Sequence, residues 1–452
     1  MLRTIVVTVT LLSGGLLFGQ SAFDAIRIVQ DEIGFGTRAL AMGGAYTAAA
    51  NDYSAIYWNP AGLTDVSRGQ VFGELSNLTF ANSAAFKGTL TEESDNYTNL
   101  RALGFAFPLP TRRGSFVIAG GYQRVRDFDQ NLLFSGFNNQ SNGLSFDIDD
   151  TAYDFDRGVY QSQQVTDEGG LEQVSLGFGV ALSPNVTAGL TANIWTGEDD
   201  YQWTFRQEDR EFMYEDFPAN FDTYVRSRTI LSDYSAFGLK AGATFDLGGG
   251  VKLGGAVGLP VTFTVEEDFS ENDRLTFDDG FEDTFDYPGG VFEYKVKTPF
   301  HFDFGASFNS DVLTLAASAR YRDWSQTRFD VPDGFLENDD YVDLIEENVV
   351  LRNDFEATLQ YNLGGEVYLD HLDTKLRGGY AVHPSPVKNA PSDRDRTYIT
   401  AGLGFKLDRY VDLDLAYMRG SWSQVTEDAY TPGGTEEEIT THRVLVGLTY
   451  RF

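Results

Sequence analysis

The sequence predicts an all-β chain in which fourteen antiparallel strands close into a membrane-spanning barrel around a short N-terminal segment. Three observations carry this prediction. Apolar residues alternate with small or polar ones at a period of two from about residue 70 to the C-terminus. The joins between these stretches are short and long by turns. The composition suits strands and tight turns, with 47 Gly, 36 Phe and 23 Tyr in 452 residues.

Residues 1–20 read as a secretory leader. Arg3 supplies the positive start, Ile5 to Phe18 form an apolar core, and Gly19, Gln20, Ser21 and Ala22 give a small-residue cleavage region. The apolar run falls short of the roughly 20 residues that a spanning helix needs. Cleavage is expected near Gln20 or Ala22. Residues 21–69 form the second unit, expected to fill the barrel lumen. The run from Gly34 to Ala45 is rich in small residues, which let backbone pack closely against other backbone. The segment ends in Asn59-Pro60-Ala61-Gly62, where Pro60 turns the chain.

Residues 70–452 form the wall. Strands are predicted at 70–80, 98–108, 114–127, 171–182, 185–206, 225–246, 250–267, 292–309, 311–328, 351–370, 373–384, 396–407, 409–425 and 440–452. In the last, Val444, Val446, Leu448, Tyr450 and Phe452 alternate with Leu445, Gly447, Thr449 and Arg451, giving one apolar and one mixed face. Joins after even strands are short, as at Ser183-Pro184 and Gly248-Gly249. Joins after odd strands are long, as at 128–170, 207–224, 268–291 and 329–350. This alternation fits periplasmic turns and extracellular loops. Terminal Phe452 resembles the signal read by barrel-assembly machinery.

Net charge is −33, which excludes nucleic acid as a partner, because phosphates need Lys and Arg. The long joins hold much of the acid. Clusters such as Asp147, Asp149 and Asp150 lack the spacing of a calcium motif, so a solvated outer surface is expected. There is no Cys, hence no disulfide and no Cys-held metal or lipid. The four His (His301, His371, His383 and His442) fall on different strands or turns, beside no recognisable Ser and carboxylate. No enzyme activity, metal or cofactor is expected.

Four stretches resemble the FadL/TodX family of outer-membrane transporters for long-chain fatty acids and hydrocarbons. They are Arg38 to Ala45 with Asn59-Pro60-Ala61-Gly62; Gly364-Gly365-Glu366-Val367-Tyr368; Leu376 to Ala381 leading to Pro384-Ser385-Pro386-Val387; and Asp393-Arg394-Asp395-Arg396 before Tyr398 and Gly402-Leu403-Gly404-Phe405. The first is shared with related barrels that serve protein secretion, and residues 128–350 carry no signature. The resemblance implies passive passage of a small hydrophobic molecule from the outer surface, past a hatch, and sideways into the bilayer.

Set beside the residues, capture falls to Leu132, Leu133, Phe134 and Phe137 in one long join and to Phe212, Tyr214, Phe217 and Phe221 in another. Packing of these joins on each other is the competing reading. Trp195, Tyr368, Tyr398 and Met418 fall on the inward phase of their strands and would line the lumen or pack on the plug. Asn59, Pro60, Ala61 and Gly62 would form the gate. Gly120-Gly121 in strand three could weaken the ladder and open a lateral gap, although a glycine there more often serves close approach of the plug. The alternative function is a scaffold or subunit of a protein secretion system.

Overall fold

The computed structural model describes residues 5–6, 21–30, 34–331 and 339–452. The predicted leader, apart from Ile5–Val6, lies outside the described residues. So do 31–33 of the N-terminal segment and 332–338 of the join predicted at 329–350.

Fourteen strands form the wall. They are β1 (Gln70–Phe86), β2 (Thr89–Leu109), β3 (Phe116–Asp127 and Gln130–Asn138), β4 (Val159–Ser183) and β5 (Val186–Glu208). Next come β6 (Phe221–Gly248), β7 (Val251–Gly258 and Thr262–Phe277), β8 (Glu282–Lys297 and His301–Asn309) and β9 (Leu313–Asp323 and Arg328–Phe329). The remainder are β10 (Ala357–Leu369), β11 (Thr374–His383), β12 (Arg396–Lys406), β13 (Val411–Thr426) and β14 (Thr435–Arg451). Neighbours pair antiparallel, and β14 pairs with β1 from Gln70↔Arg451 to Ala85↔Glu436, so the sheet closes and leaves no edge. Phe452 extends this seam by donating its N–H to Gly69 C=O (2.9 Å).

The period-two pattern is realised as two faces. Val444, Val446, Leu448 and Tyr450 on β14, Leu103, Phe105 and Phe107 on β2, and Phe302, Phe304 and Phe308 on β8 all point outward and are exposed. Arg443, Leu445 and Thr449 on the alternate phase of β14 are buried inward. An apolar ring around the whole wall suits hydrocarbon as its solvent. Among the described residues no helix is long and apolar enough to cross a membrane.

The fourteen predicted strands are all present, but many run further than expected. The expected join at 81–97 is strand throughout except for Lys87-Gly88, a two-residue turn with positive φ at both positions (47° and 83°). Much of 128–170, 207–224 and 268–291 also continues the strands; within 128–170, Ser145–Ile148 pairs with Thr151–Asp154 as a small hairpin. Loop lengths therefore do not alternate without exception. Above the lipid a strand needs no apolar face, so Glu92, Glu93, Asp95 and Asn96 extend β2 without the signature of amphipathic alternation.

Two further corrections follow. Residues 351–354, expected to begin strand ten, end helix α4 (Asp339–Asp354), which buries Leu344 and Leu351. Predicted strand 311–328 is interrupted by a 3-10 turn at Trp324–Gln326.

Inside the wall lie helices α1 (Ala22–Val29), α2 (Thr37–Ala41) and α3 (Ala55–Trp58) and a 3-10 turn at Pro60–Asp65. Phe35, Leu40, Tyr46, Tyr53, Ile56 and Leu63 of this segment pack with inward Ala102, Ala119, Ala381, Tyr398, Met418 and Leu445. Helix α1 packs with α4 and Phe355 nearer the long-join end.

An irregular segment held away from water leaves carbonyls without partners unless the wall supplies donors. The wall does so. Ser115 donates to Thr64 C=O (3.0 Å), Thr191 to Ile56 (2.9 Å), Ser307 to Ala48 (3.2 Å), Asn362 to Gly43 (2.8 Å) and Thr400 to Ala41 (3.0 Å). Inward glycines make the room: a Cβ at Gly379 would overlap the Gly43 backbone, and one at Gly189 the Pro60 carbonyl.

Candidate functional site

The Asn59-Pro60-Ala61-Gly62 stretch is where the N-terminal segment is tied to the wall most closely. Asn59 ends α3, its N–H bonding to Ala55 C=O, and its side chain caps the next turn by accepting from Ala61 N–H (3.1 Å). Pro60 takes the first position of that turn, where a missing N–H costs nothing. The Asn59 amide donates to Thr47 C=O (2.8 Å) and to Ala243 C=O of β6 (3.1 Å). Thr187 of β5 donates to Ala61 C=O (3.2 Å), and Gly62 sits too close to the Ala50 carbonyl to carry a side chain. The residues predicted as a gate are thus buried and cross-braced.

Charge pairs add further ties. Arg38 makes a two-point contact with Glu366 of β10 (2.9 Å for both bonds), the geometry in which a guanidinium binds carboxylate best. Glu74 of β1 accepts from Gly36 N–H (3.3 Å) and Thr37 hydroxyl (2.6 Å), placing a carboxylate at the start of α2. Arg27 of α1 reaches Asp167 (3.0 Å) on β4 and Asp199 (2.6 Å) on β5.

A cavity of about 830 Å³ lies between α1, the upper halves of β1 and β3, and strands β11 to β14. Phe23, Ile26, Phe128, Leu132, Tyr398, Met418 and Trp422 give it apolar surface, while Arg27, Arg126, Arg394, Arg396 and Arg443 and the carboxylates Asp24, Asp127, Asp129 and Glu427 give it charge of both signs. Arg396 lies over the Trp422 ring at 4.8 Å, and neither it nor Arg394 makes an ion pair among the described residues. A second cavity, of about 300 Å³, opens at the short-turn end beside Arg38, Tyr53 and Tyr368. A third, of about 70 Å³, lies behind β6 and β7.

The predicted lumen residues divide among these three. Tyr398 and Met418 share the large cavity. Trp195 lines the small one and packs edge-on against Phe263 (5.5 Å). Tyr368 sits at the short-turn mouth, its hydroxyl on Asp373 (2.7 Å).

The predicted capture residues also divide. Leu132 and Phe134 are buried on a strand, not on a loop, with Phe134 4.7 Å from the Phe86 ring. Leu133 and Phe137 are half-buried on the opposite phase of that strand. Phe221 is buried and stacks on Phe155 (4.8 Å), with Tyr214 edge-on to it (6.0 Å). Phe212 and Phe217 are 69% and 65% exposed and project from the 209–220 join with Met213.

The ladder is continuous through Gly120 and Gly121 on both sides. Gly121 instead faces the Tyr53 hydroxyl, so its missing side chain admits the N-terminal segment. The break in β3 lies further along, at Phe128–Asp129, and the β2–β3 ladder stops at Ala102↔Gln123.

Sequence reasoning did not assign a role to Arg27, Asp167 and Asp199, or to Arg394 and Arg396 as cavity cations. The signal for the second pair was present in the run Asp393-Arg394-Asp395-Arg396, in which Arg394 ends a 3-10 turn and Arg396 begins β12.

No protein-family model matches the sequence, and no curated protein matches it. Among solved structures the chain is similar to the toluene transporter TodX of Pseudomonas putida, with a TM-score of 0.59 and 13% identity over 93% of this chain and 99% of that one. A FadL homologue of Pseudomonas aeruginosa matches with a TM-score of 0.58 and 13% identity over 93% and 99% of the two chains. The Ralstonia pickettii toluene transporter TbuX matches with a TM-score of 0.55 and 13% identity over 93% and 98%. At that identity the likeness is one of fold.

Proposed function

We propose that the chain is an outer-membrane transporter that takes up small hydrophobic molecules by passive passage. The observation that carries the reading is the large cavity inside a barrel with an apolar outer face, its lining including apolar surface and two arginines, Arg394 and Arg396, that make no ion pair among the described residues. Burial of apolar surface favours a hydrocarbon chain at about 25 cal/mol per Å². Arg394 and Arg396 suit a carboxylate at its end, which favours a long-chain fatty acid over toluene. The similarity of fold to hydrocarbon transporters supports the same reading.

In this reading the leader is removed on export and Phe452 is read by the assembly machinery. Phe212 and Phe217 meet the ligand first, and Leu132, Tyr398 and Met418 hold it in the large cavity. Residues 21–69 act as a plug whose Asn59–Gly62 brace is the gate, and the ligand then leaves sideways through the wall. Water-filled diffusion is disfavoured by the packing of residues 34–66 against the wall.

The test is uptake of labelled oleate and toluene by cells lacking such a transporter, with and without this chain. Uptake of oleate that depends on the chain, and falls when Arg394 and Arg396 are both Gln, is expected. Absence of uptake of either compound, with the barrel folded at the cell surface, would refute transport and favour the secretion-scaffold reading.

A further inference from the structure

The lipid-facing band ends in an unusual way on one side of the barrel. Along β8 the outward side chains run Phe304, Phe302 and Phe300, then Lys297, Lys295 and Glu293. Tyr294 and Val296 between them are buried inward, which fixes both lysines on the outer face. On β7 exposed Leu259 gives way to Thr262, Thr264 and Glu266, and on β9 exposed Tyr321 gives way to Asp323 and Arg328. Between the apolar and polar zones Pro260 stands opposite Pro299, where the β7–β8 ladder skips from Gly258↔His301 to Thr262↔Lys297.

Register gathers the cations. Lys297 lies directly opposite Arg328 of β9, and Lys295 follows two residues along on the same face. Like charges directly opposite one another on a sheet repel. The chain itself does little to relieve this. Among the described residues neither lysine makes an ion pair or a side-chain hydrogen bond. Arg328 reaches only Asp330, at 3.9 Å with both side chains about half exposed, a contact worth little. Asp330 donates its N–H to Lys295 C=O (2.8 Å), but its carboxylate does not close on the ammonium. Asp323 is taken by the Ser325 hydroxyl (2.6 Å) and the Gln326 amide (2.7 Å). Carboxylates resume further from the lipid, where Glu293, Glu266, Asp233 and Glu198 lie in register across β8, β7, β6 and β5.

A chain of net charge −33 thus keeps a strip of cations on its outer wall, at the long-join edge of the apolar band. That edge is where lipid phosphates lie, directly above the acyl chains, and clustered Lys and Arg at a membrane surface attract anionic headgroups. A guanidinium and two ammoniums also suit phosphate oxygens chemically. Free phosphate would meet the repulsion of the whole chain. A lipid offsets it by laying its chains on Phe300, Phe302 and Tyr321 below the cations.

We propose that Lys295, Lys297 and Arg328 form a docking site for a phosphorylated lipid of the outer leaflet. The phosphate sits on the three cations and the acyl chains run down the aromatic outer face of β8 and β9. The proposal rests on the outer-membrane placement and is independent of what passes through the lumen.

Native mass spectrometry of the full barrel in detergent, titrated with diphosphoryl lipid A, counts bound copies directly. The wild type should hold one tightly bound copy. Affinity should fall at least tenfold in Lys295→Gln/Lys297→Gln/Arg328→Gln and at least threefold in Lys297→Gln alone, which serves if the triple variant does not fold. Lys295→Arg/Lys297→Arg, which keeps the charge, should bind as the wild type does, and so should Arg419→Gln, which removes an exposed cation of β13. Lipid A stripped of its phosphates should bind the wild type no better than the triple variant binds the intact lipid. Equal affinity of wild type and both Gln variants, or equal affinity for the phosphate-free lipid, overturns the proposal and leaves a solvated strip of cations. Displacement of the lipid by a tenfold excess of inorganic phosphate overturns it too, because the site would then take the anion without the lipid.

Discussion

Replacing Asn59 by Ala removes one side chain that holds three buried backbone groups. The Asn59 amide bonds at 2.8 Å and 3.1 Å to Thr47 and Ala243 C=O, and its oxygen at 3.1 Å to Ala61 N–H. All three lose the Asn59 bond in the variant, and because Asn59 is fully buried water does not replace it. At about 1 kcal/mol each, the docked segment loses about 3 kcal/mol. That corresponds to about a 150-fold shift toward the undocked form. The strand ladder contributes none of these bonds, so barrel stability should hold. Hydrogen exchange on peptides covering 44–66 should show protection falling about 100-fold, with β10 to β14 unchanged. Asn59→Asp, which turns a carboxylate oxygen onto the Thr47 and Ala243 carbonyls, should lose at least as much protection as Ala. Unchanged exchange over 44–66, or an equal loss across the strands, would refute the claim that this residue braces the segment independently of the wall.

Replacing both Asn59 and Pro60 by Ala should leave a folded barrel with altered uptake, and unchanged uptake at equal surface level would remove the gate role. Gly242→Ala puts a Cβ onto the Asn59 oxygen, whereas Gly73→Ala meets only a Leu103 methyl at 3.9 Å; only the first should speed exchange in 44–66. Phe221→Ala should cost the outer cluster about 3 kcal/mol, read as faster proteolysis of the 209–220 join, because a buried ring stacked on Phe155 is lost. Phe212→Ser should leave proteolysis unchanged and lower the rate of oleate capture. Arg27→Ala leaves Asp167 and Asp199 buried without their cation, so α1 should undock by about 3 kcal/mol, seen as lost exchange protection over 22–30.

The sequence by itself determined the strand count, the closed sheet and the inward or outward phase of each lipid-facing residue. One rule governs all three: a strand crossing hydrocarbon must alternate, and every backbone group must be paired within the sheet. Where the rule lapses, so did legibility. Strands beyond the lipid carry polar residues on both faces, so β2 before Leu100 and β4 before Leu171 looked like loops. Helix α4 hid in an acidic stretch because its buried side is confined to residues such as Leu344 and Leu351.

Only the tertiary structure decided which residues meet. Tyr398 and Met418 share a cavity while Trp195 and Tyr368 face two others, since equal strand phase says nothing of height or of what fills the lumen there. The pairing of Arg27 with Asp167 and Asp199 joins positions more than a hundred residues apart. Pro260 and Pro299 lie inside stretches predicted as unbroken strands, 250–267 and 292–309. That they oppose one another is a matter of register, and register between neighbouring strands is set by the closure of the whole barrel.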